Sequence, residues 1–98
     1  MARFYESWIL ETCILAFLSS GDAYGYEIAK NSKIKMSESS VYPILRRLED
    51  QKLLTVYSQQ SNTRLRKFYH ITDEGLKALE EGKITWAKFR DSINEILK

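Results

Sequence analysis

Apolar positions along this chain follow two periods, and the most informative stretch is the one where the first gives way to the second. Between Ser37 and Asp50 the residues Val41, Ile44, Leu45 and Leu48 share one face of a 3.6-residue repeat. At about 100° per residue, the opposite face carries Ser39, Pro43 and Arg46, flanked by Tyr42 and Arg47. This predicts a helix with one side in a core and the other side small, aromatic and cationic. Directly after it, Leu53–Gln59 and Arg66–Ile71 are rich in β-branched and aromatic residues, and the polar segment Gln60-Ser61-Asn62-Thr63-Arg64 between them predicts a turn. A two-stranded ribbon therefore follows the helix, with Arg64, Arg66 and Lys67 at its tip and on its return strand.

Helical periodicity also marks the flanks. Phe4–Leu18 is apolar over most of its circumference, which requires burial on more than one side. A short second helix runs from Tyr24 to about Ser32, and its Gly25, costly in a helix, implies a close packing contact. Pro43 predicts a loose or kinked first turn in the third helix. With Ser37 as N-cap it removes a backbone bond; with Ser39 or Ser40 as N-cap it falls among unpaired amides. Thr72 caps a last helix reaching about Leu97, with Asp73 and Glu74 at its positive end. Along it Leu79, Trp86 and Ile93 recur every seven residues, as do Gly82, Phe89 and Ile96, giving an a/d seam. That seam either joins two copies of the chain or packs on the chain's own core.

The fold class is mainly α with a small β-hairpin: a winged helix-turn-helix over residues 1–72 and a long C-terminal dimerisation helix over 73–98. Ninety-eight residues form one core, and a second copy would add apolar burial. The single cysteine, Cys13, excludes an intramolecular disulfide and suits a reducing cytoplasm. No stretch is apolar for long enough to span a bilayer.

Overall charge is only +2, but from Lys30 to Lys67 nine basic residues face three acids, a net of +6 that leaves the rest of the chain at −4. A cationic middle between acidic flanks fits a polyanionic partner. On a helix followed by a basic hairpin, that partner is double-stranded DNA, with the helix in the major groove and the wing beside it. Base contacts are expected from Ser39, Tyr42 and Arg46, with Ser40 close by, because arginine reads guanine bidentately and hydroxyls adapt. Arg47, Arg64, Arg66 and Lys67 would hold phosphates, and Tyr24, Tyr26 and Lys30 the flanking backbone. Tyr42 could instead serve as packing against the wing. The alternative class, a winged-helix module for protein contacts, calls for a neutral third helix and a short or acidic wing. An enzyme is not expected: one histidine, one cysteine and no glycine-rich phosphate loop supply neither a catalytic set nor a metal or cofactor site. His70 reads as a phosphate neighbour or an exposed strand residue.

Gly25-Tyr26-Glu27-Ile28, Val41-Tyr42-Pro43-Ile44-Leu45-Arg46-Arg47-Leu48-Glu49 and Arg66-Lys67-Phe68-Tyr69-His70-Ile71-Thr72-Asp73-Glu74-Gly75, in this order, resemble the PadR family of bacterial transcriptional regulators. The single C-terminal helix is similar to the family's short subgroup, whose members dimerise through it. The resemblance implies a homodimeric repressor on an inverted-repeat operator, released by a small molecule or another signal. With the a/d seam joining two copies, Leu79, Trp86, Phe89, Ile93 and Ile96 are expected at the dimer interface. Trp86, eleven residues past Gly75, matches a tryptophan that in some short members lines a pocket at that interface; plain packing is the alternative. Trp8 is its candidate neighbour, and aromatic faces of this kind stack planar apolar or cationic ligands. Two departures stand out. Lys52 occupies the place where the family usually has glycine after the third helix, and Arg64-Leu65 replaces the glycine or proline common ahead of the wing's basic pair.

Overall fold

Segments of helical period fold as helices and the β-rich segments as a hairpin, in a computed structural model that describes residues 7–98. Phe4, Tyr5 and Glu6, expected at the start of the first helix, lie outside the described residues. The elements are α1 (Ser7–Ser19), β1 (Ala23–Tyr24), α2 (Gly25–Asn31), α3 (Glu38–Asp50), β2 (Leu54–Ser61), β3 (Arg64–Ile71) and α4 (Asp73–Leu97). The antiparallel sheet has the order β1-β3-β2, with Ala23 opposite Tyr69 and Tyr24 opposite Phe68.

Two boundaries differ from the sequence expectation. Tyr24 belongs to a two-residue strand rather than to the second helix, because its backbone pairs with β3; two residues are too few to leave an alternating pattern. The hairpin turn is also tighter than the five polar residues suggested. Pairing continues out to Ser61 opposite Arg64, so only Asn62 and Thr63 connect the strands, with Asn62 left-handed at φ 58°. Asparagine tolerates that conformation better than most side chains.

Ile14, Leu15 and Leu18 of α1, Ile28 of α2, Val41, Ile44, Leu45 and Leu48 of α3, and Leu54, Tyr69 and Ile71 of the sheet form one buried cluster. The apolar stripe of α3 is entirely inside it, which leaves the Ser39–Tyr42–Arg46 side facing outward. Ser37 is the N-cap: its Oγ accepts the Ser40 N–H at 3.2 Å. Pro43 therefore sits inside the helix without an N–H for the Ser39 carbonyl, on the solvent side, where water can take that acceptor.

The missing glycine after α3 has a direct resolution. Lys52 itself adopts the left-handed conformation, at φ 64°. Its N–H donates to the Glu49 carbonyl at 2.9 Å and the Leu53 N–H to the Leu48 carbonyl at 2.9 Å. These two bonds are the paired closure of a Schellman motif, which normally places glycine at Lys52. The Lys52 carbonyl in turn accepts the Thr72 hydroxyl at 2.9 Å, while Thr72 Oγ1 accepts the Gly75 N–H at 3.0 Å. Thr72 thus caps α4, as expected, and ties its start to the end of α3.

The first part of α4 belongs to the core and the remainder does not. Leu79 is only 3% exposed, covered within its own chain. It is therefore no part of an exposed seam, contrary to its expected place at a dimer interface. Gly82 faces α1, and a Cβ there would run into the Oγ1 and Cγ2 of Thr12. Beyond it Ile84, Trp86, Phe89, Ile96 and Leu97 are all exposed.

Candidate nucleic-acid interface

The outward face of α3 is fixed by how it meets α2. Gly25 opens α2 and is buried, and a Cβ on it would lie within 2.6 Å of the Tyr42 hydroxyl. The phenol therefore rests directly on the α2 backbone, the close contact that Gly25 implied. Tyr42 stays 42% exposed there, bordering the cleft toward the wing. Ser39, Ser40 and Arg46 are exposed beside it. The Ser37 hydroxyl lies 2.9 Å from the Ser39 hydroxyl and 3.1 Å from that of Ser40, so the serines at the α3 N-terminus form one adaptable polar cluster.

The wing stands across a cleft of about 210 Å³ lined by Tyr24, Gly25, Tyr42, Arg64, Leu65, Arg66 and Lys67. Its cations are not equivalent, because successive residues of β3 point to opposite faces. Tyr69 and Ile71 enter the core, so Lys67 and Leu65 lie on the same face as the helices, whereas Arg66 and Arg64 lie on the other. On that outer face Arg66 stacks its guanidinium 4.4 Å from the Tyr24 ring centre. Its buried Nε has no hydrogen-bond partner. Tyr24 in turn meets Phe68 edge-on at 5.3 Å, and Phe68 stacks on Tyr57 at 5.7 Å. A cation held on an aromatic ladder keeps a fixed position for an incoming anion.

Other expected contacts divide. Tyr26 and Lys30 are exposed together on α2, with Lys30 Nζ 5.6 Å from the Tyr26 ring centre. Arg47 has a partner already: its Nε and Nη2 both approach Glu11 Oε2 of α1 at 2.8 Å, so it braces α3 on α1. His70, opposite Thr55 on the outer face, places Nδ1 2.8 Å from Asp22 Oδ1, and Tyr57 donates to Asp22 Oδ2 at 2.6 Å. These bonds, the Tyr57 hydroxyl foremost and then His70, hold the Asp22 carboxyl below its ordinary value, and the same bond raises the Tyr57 phenol. This clamp joins the β1 entry to both wing strands. It was not foreseen, because its members lie 35 and 48 positions apart in the chain.

Trp8 and Trp86, paired on position and on the resemblance, line one groove. It lies between α1 and α4, has a volume of about 310 Å³ and is completed by Ile9, Cys13, Ile34 and Lys83 among others. Phe89 touches both tryptophans, edge-on to Trp8 at 5.9 Å and tilted to Trp86 at 6.1 Å. Burial raises the Cys13 thiol pKa, so this cysteine is a small apolar wall and not a thiolate. Among the described residues, no group of three or more His, Cys, Asp or Glu could hold a metal ion, and no helix is long and apolar enough to cross a membrane.

Known proteins share this fold. Residues 14–81 match the sequence model described as the Transcriptional regulator PadR-like family. The crystal structure of smu.1704 from Streptococcus mutans superposes with a TM-score of 0.89 at 37% identity, covering 99% of this chain and 93% of the other. The negative transcriptional regulator PadR of Bacillus subtilis is 27% identical over 89% of this chain, which spans only 52% of that protein's length. A crystal structure of Bacillus subtilis PadR in complex with operator DNA aligns with a TM-score of 0.68 at 29% identity, over 74% of this chain and 45% of the other.

Proposed function

This chain belongs to the PadR-like family of transcriptional regulators, a class of DNA-binding proteins and not of enzymes, and on that premise we propose that it is a homodimeric repressor of an inverted-repeat operator in the bacterial cytoplasm. Residues 1–72 read DNA and residues 73–98 join two copies. The observation that carries this reading is the cleft between α3 and the wing, with Tyr42 seated on Gly25 at one wall and β3 at the other, carrying Lys67 toward α3 and Arg64 and Arg66 on its outer face. Its cationic lining suits a phosphodiester strand, which separates the major groove from the minor groove. Ser39, Ser40, Tyr42 and Arg46 then face base edges, while Lys67, Arg66 and Arg64 hold phosphates, with Tyr24, Tyr26 and Lys30 alongside.

Dimerisation is supported by the free half of α4. Trp86, Phe89, Ile93 and Ile96 follow one another at spacings of three and four, and although Phe89 meets Trp8 of α1 edge-on, all but half-buried Ile93 stay exposed in the single chain. The groove at Trp8 and Trp86 is the place for an effector. Its aromatic walls suit a planar apolar or cationic molecule. Such a ligand releases DNA only if it prefers one spacing of the two α3 helices, a coupling of about 1–3 kcal/mol.

Ile96→Asp tests the assembly. Ile96 is 73% exposed in the single chain, so its replacement leaves the monomer fold intact while burying a charge in a dimer. Sedimentation should show monomers with an unchanged melting curve and loss of binding to a two-half-site duplex. Dimers that bind such DNA normally would place the interface elsewhere.

A further inference from the structure

The outer part of the wing is a polar ribbon with one apolar exception. From Ser58 to Lys67 every residue is polar or cationic apart from Leu65. Beyond the Tyr57–Phe68 pair the ribbon has no third strand beside it, since β1 reaches only Tyr69 and Phe68. Leu65 is 71% exposed there, far from the core cluster, and makes no packing contribution that would account for it. Strand alternation puts it on the face of Lys67 and Tyr69, the face toward α3, with Gln60 directly across on β2. It also borders the cleft with Tyr42 and Lys67. An isolated exposed leucine on a protein surface needs no explanation. One at the end of a projecting cationic ribbon, turned toward the proposed DNA, does.

We propose that Leu65 is a specificity-determining residue that enters the minor groove and selects A·T over G·C pairs beneath the wing. The inference rests on the DNA-binding reading above. With α3 in the major groove and a phosphodiester strand in the cleft, the ribbon tip lies past that strand, over the minor groove. The walls of that groove are deoxyribose C–H faces, which an aliphatic side chain can cover. Its floor distinguishes base pairs chiefly by the guanine N2 amino group, a donor present in G·C and absent from A·T. A leucine pressed onto that amino group blocks its water and offers no acceptor in return. Over an A·T floor no donor is lost. Arg64 and Lys67 bring the tip to the backbone whatever the sequence, so the discrimination falls to the one side chain among them that cannot hydrogen-bond.

The test uses the full chain and a duplex that it recovers from a random-sequence library. Under the wing, A·T pairs are replaced by G·C or by inosine·C, which keeps the Watson–Crick geometry and major-groove edge of G·C but lacks the N2 amino group and the hydrogen bond it makes to cytosine. Wild type should bind A·T and inosine·C alike and G·C about five- to tenfold more weakly. Leu65→Ser should remove most of that difference without altering the salt dependence of binding. Lys67→Ala should weaken all three duplexes together and make the salt dependence shallower. Inosine·C behaving like G·C, or Leu65→Ser keeping the full discrimination, would overturn the role of Leu65 while leaving the DNA-binding reading intact. Wild type that recovers no duplex at all would overturn both.

Discussion

Gly25 and Tyr42 are a matched pair: the phenol of one occupies the space that any side chain on the other would need. The contact joins the start of α2 to the outward face of α3, so it sets where the Tyr42 hydroxyl is presented. Gly25→Ala should therefore act on recognition more than on stability. The obstructing atoms are the far end of a side chain, which can swing away, and alanine gains up to about 1 kcal/mol of helix propensity. Operator affinity should fall roughly tenfold, about 1.4 kcal/mol. In a Tyr42→Ala background the same glycine change should cost no further affinity. Additive losses in that double-mutant cycle, measured by fluorescence anisotropy, would separate the two residues.

Lys52 holds a left-handed backbone at φ 64° where a glycine would carry no steric penalty. Lys52→Gly should stabilise the fold by roughly 1 kcal/mol, raising the melting temperature by about 4–8 °C in a domain of this size. Lys52→Ala should give no comparable gain. A lower melting temperature for the glycine variant would mean that the lysine side chain contributes something its geometry does not reveal.

Local signals carried far in this chain. The stripe Val41, Ile44, Leu45, Leu48 located α3 and its buried side, Thr72 marked the start of α4, and a helical glycine at position 25 pointed to a close contact. What failed to show depends on partners distant in the chain. β1 is a strand only because β3 lies beside it, and five polar residues cannot reveal that pairing runs on to leave a two-residue turn. Periodicity placed Leu79 on a seam with Trp86, yet the helix passes from core to solvent between them. A heptad repeat records which residues share a face, not what covers that face. Positive charge likewise could not separate Arg47, which is held by Glu11, from Arg46, which is exposed and has no ion-pair partner among the described residues.

That distinction between the two arginines has a measurable consequence. Arg46→Ala should weaken a cognate operator by ~1–3 kcal/mol and random duplex far less, as loss of a base contact requires. Glu11→Gln should cost at most about 1 kcal/mol of stability, since the ion pair with Arg47 is partly exposed. Releasing Arg47 should at the same time tighten binding to both duplexes. Unchanged DNA affinity in Glu11→Gln would confine Arg47 to bracing α3 on α1.

Asp22 sets an acid limit on the wing's anchorage. Its carboxyl is held below the unfolded value of 3.8 by the Tyr57 hydroxyl and His70, so the folded chain binds its proton less readily than the unfolded one. The resulting stability is complete above pH 3.8 and is lost as pH falls through the lower folded value. Asp22→Asn should melt below wild type at neutral pH, and the gap should narrow as the pH drops beneath that point. A gap that stays constant down to pH 2.5 would assign the effect of the substitution to packing.

The salt dependence of operator binding tests the α3-and-wing docking most directly. A dimer would bring two copies each of Arg64, Arg66 and Lys67 from the wing and Lys30 from α2 to the phosphates. If most of them engage, log affinity should fall against log salt with a slope on the order of −5 to −8. The triple substitution Arg64→Ala, Arg66→Ala and Lys67→Ala should flatten that slope by more than half. Operator affinity that holds steady from low to moderate salt, or a slope the triple variant leaves untouched, would contradict docking through this surface.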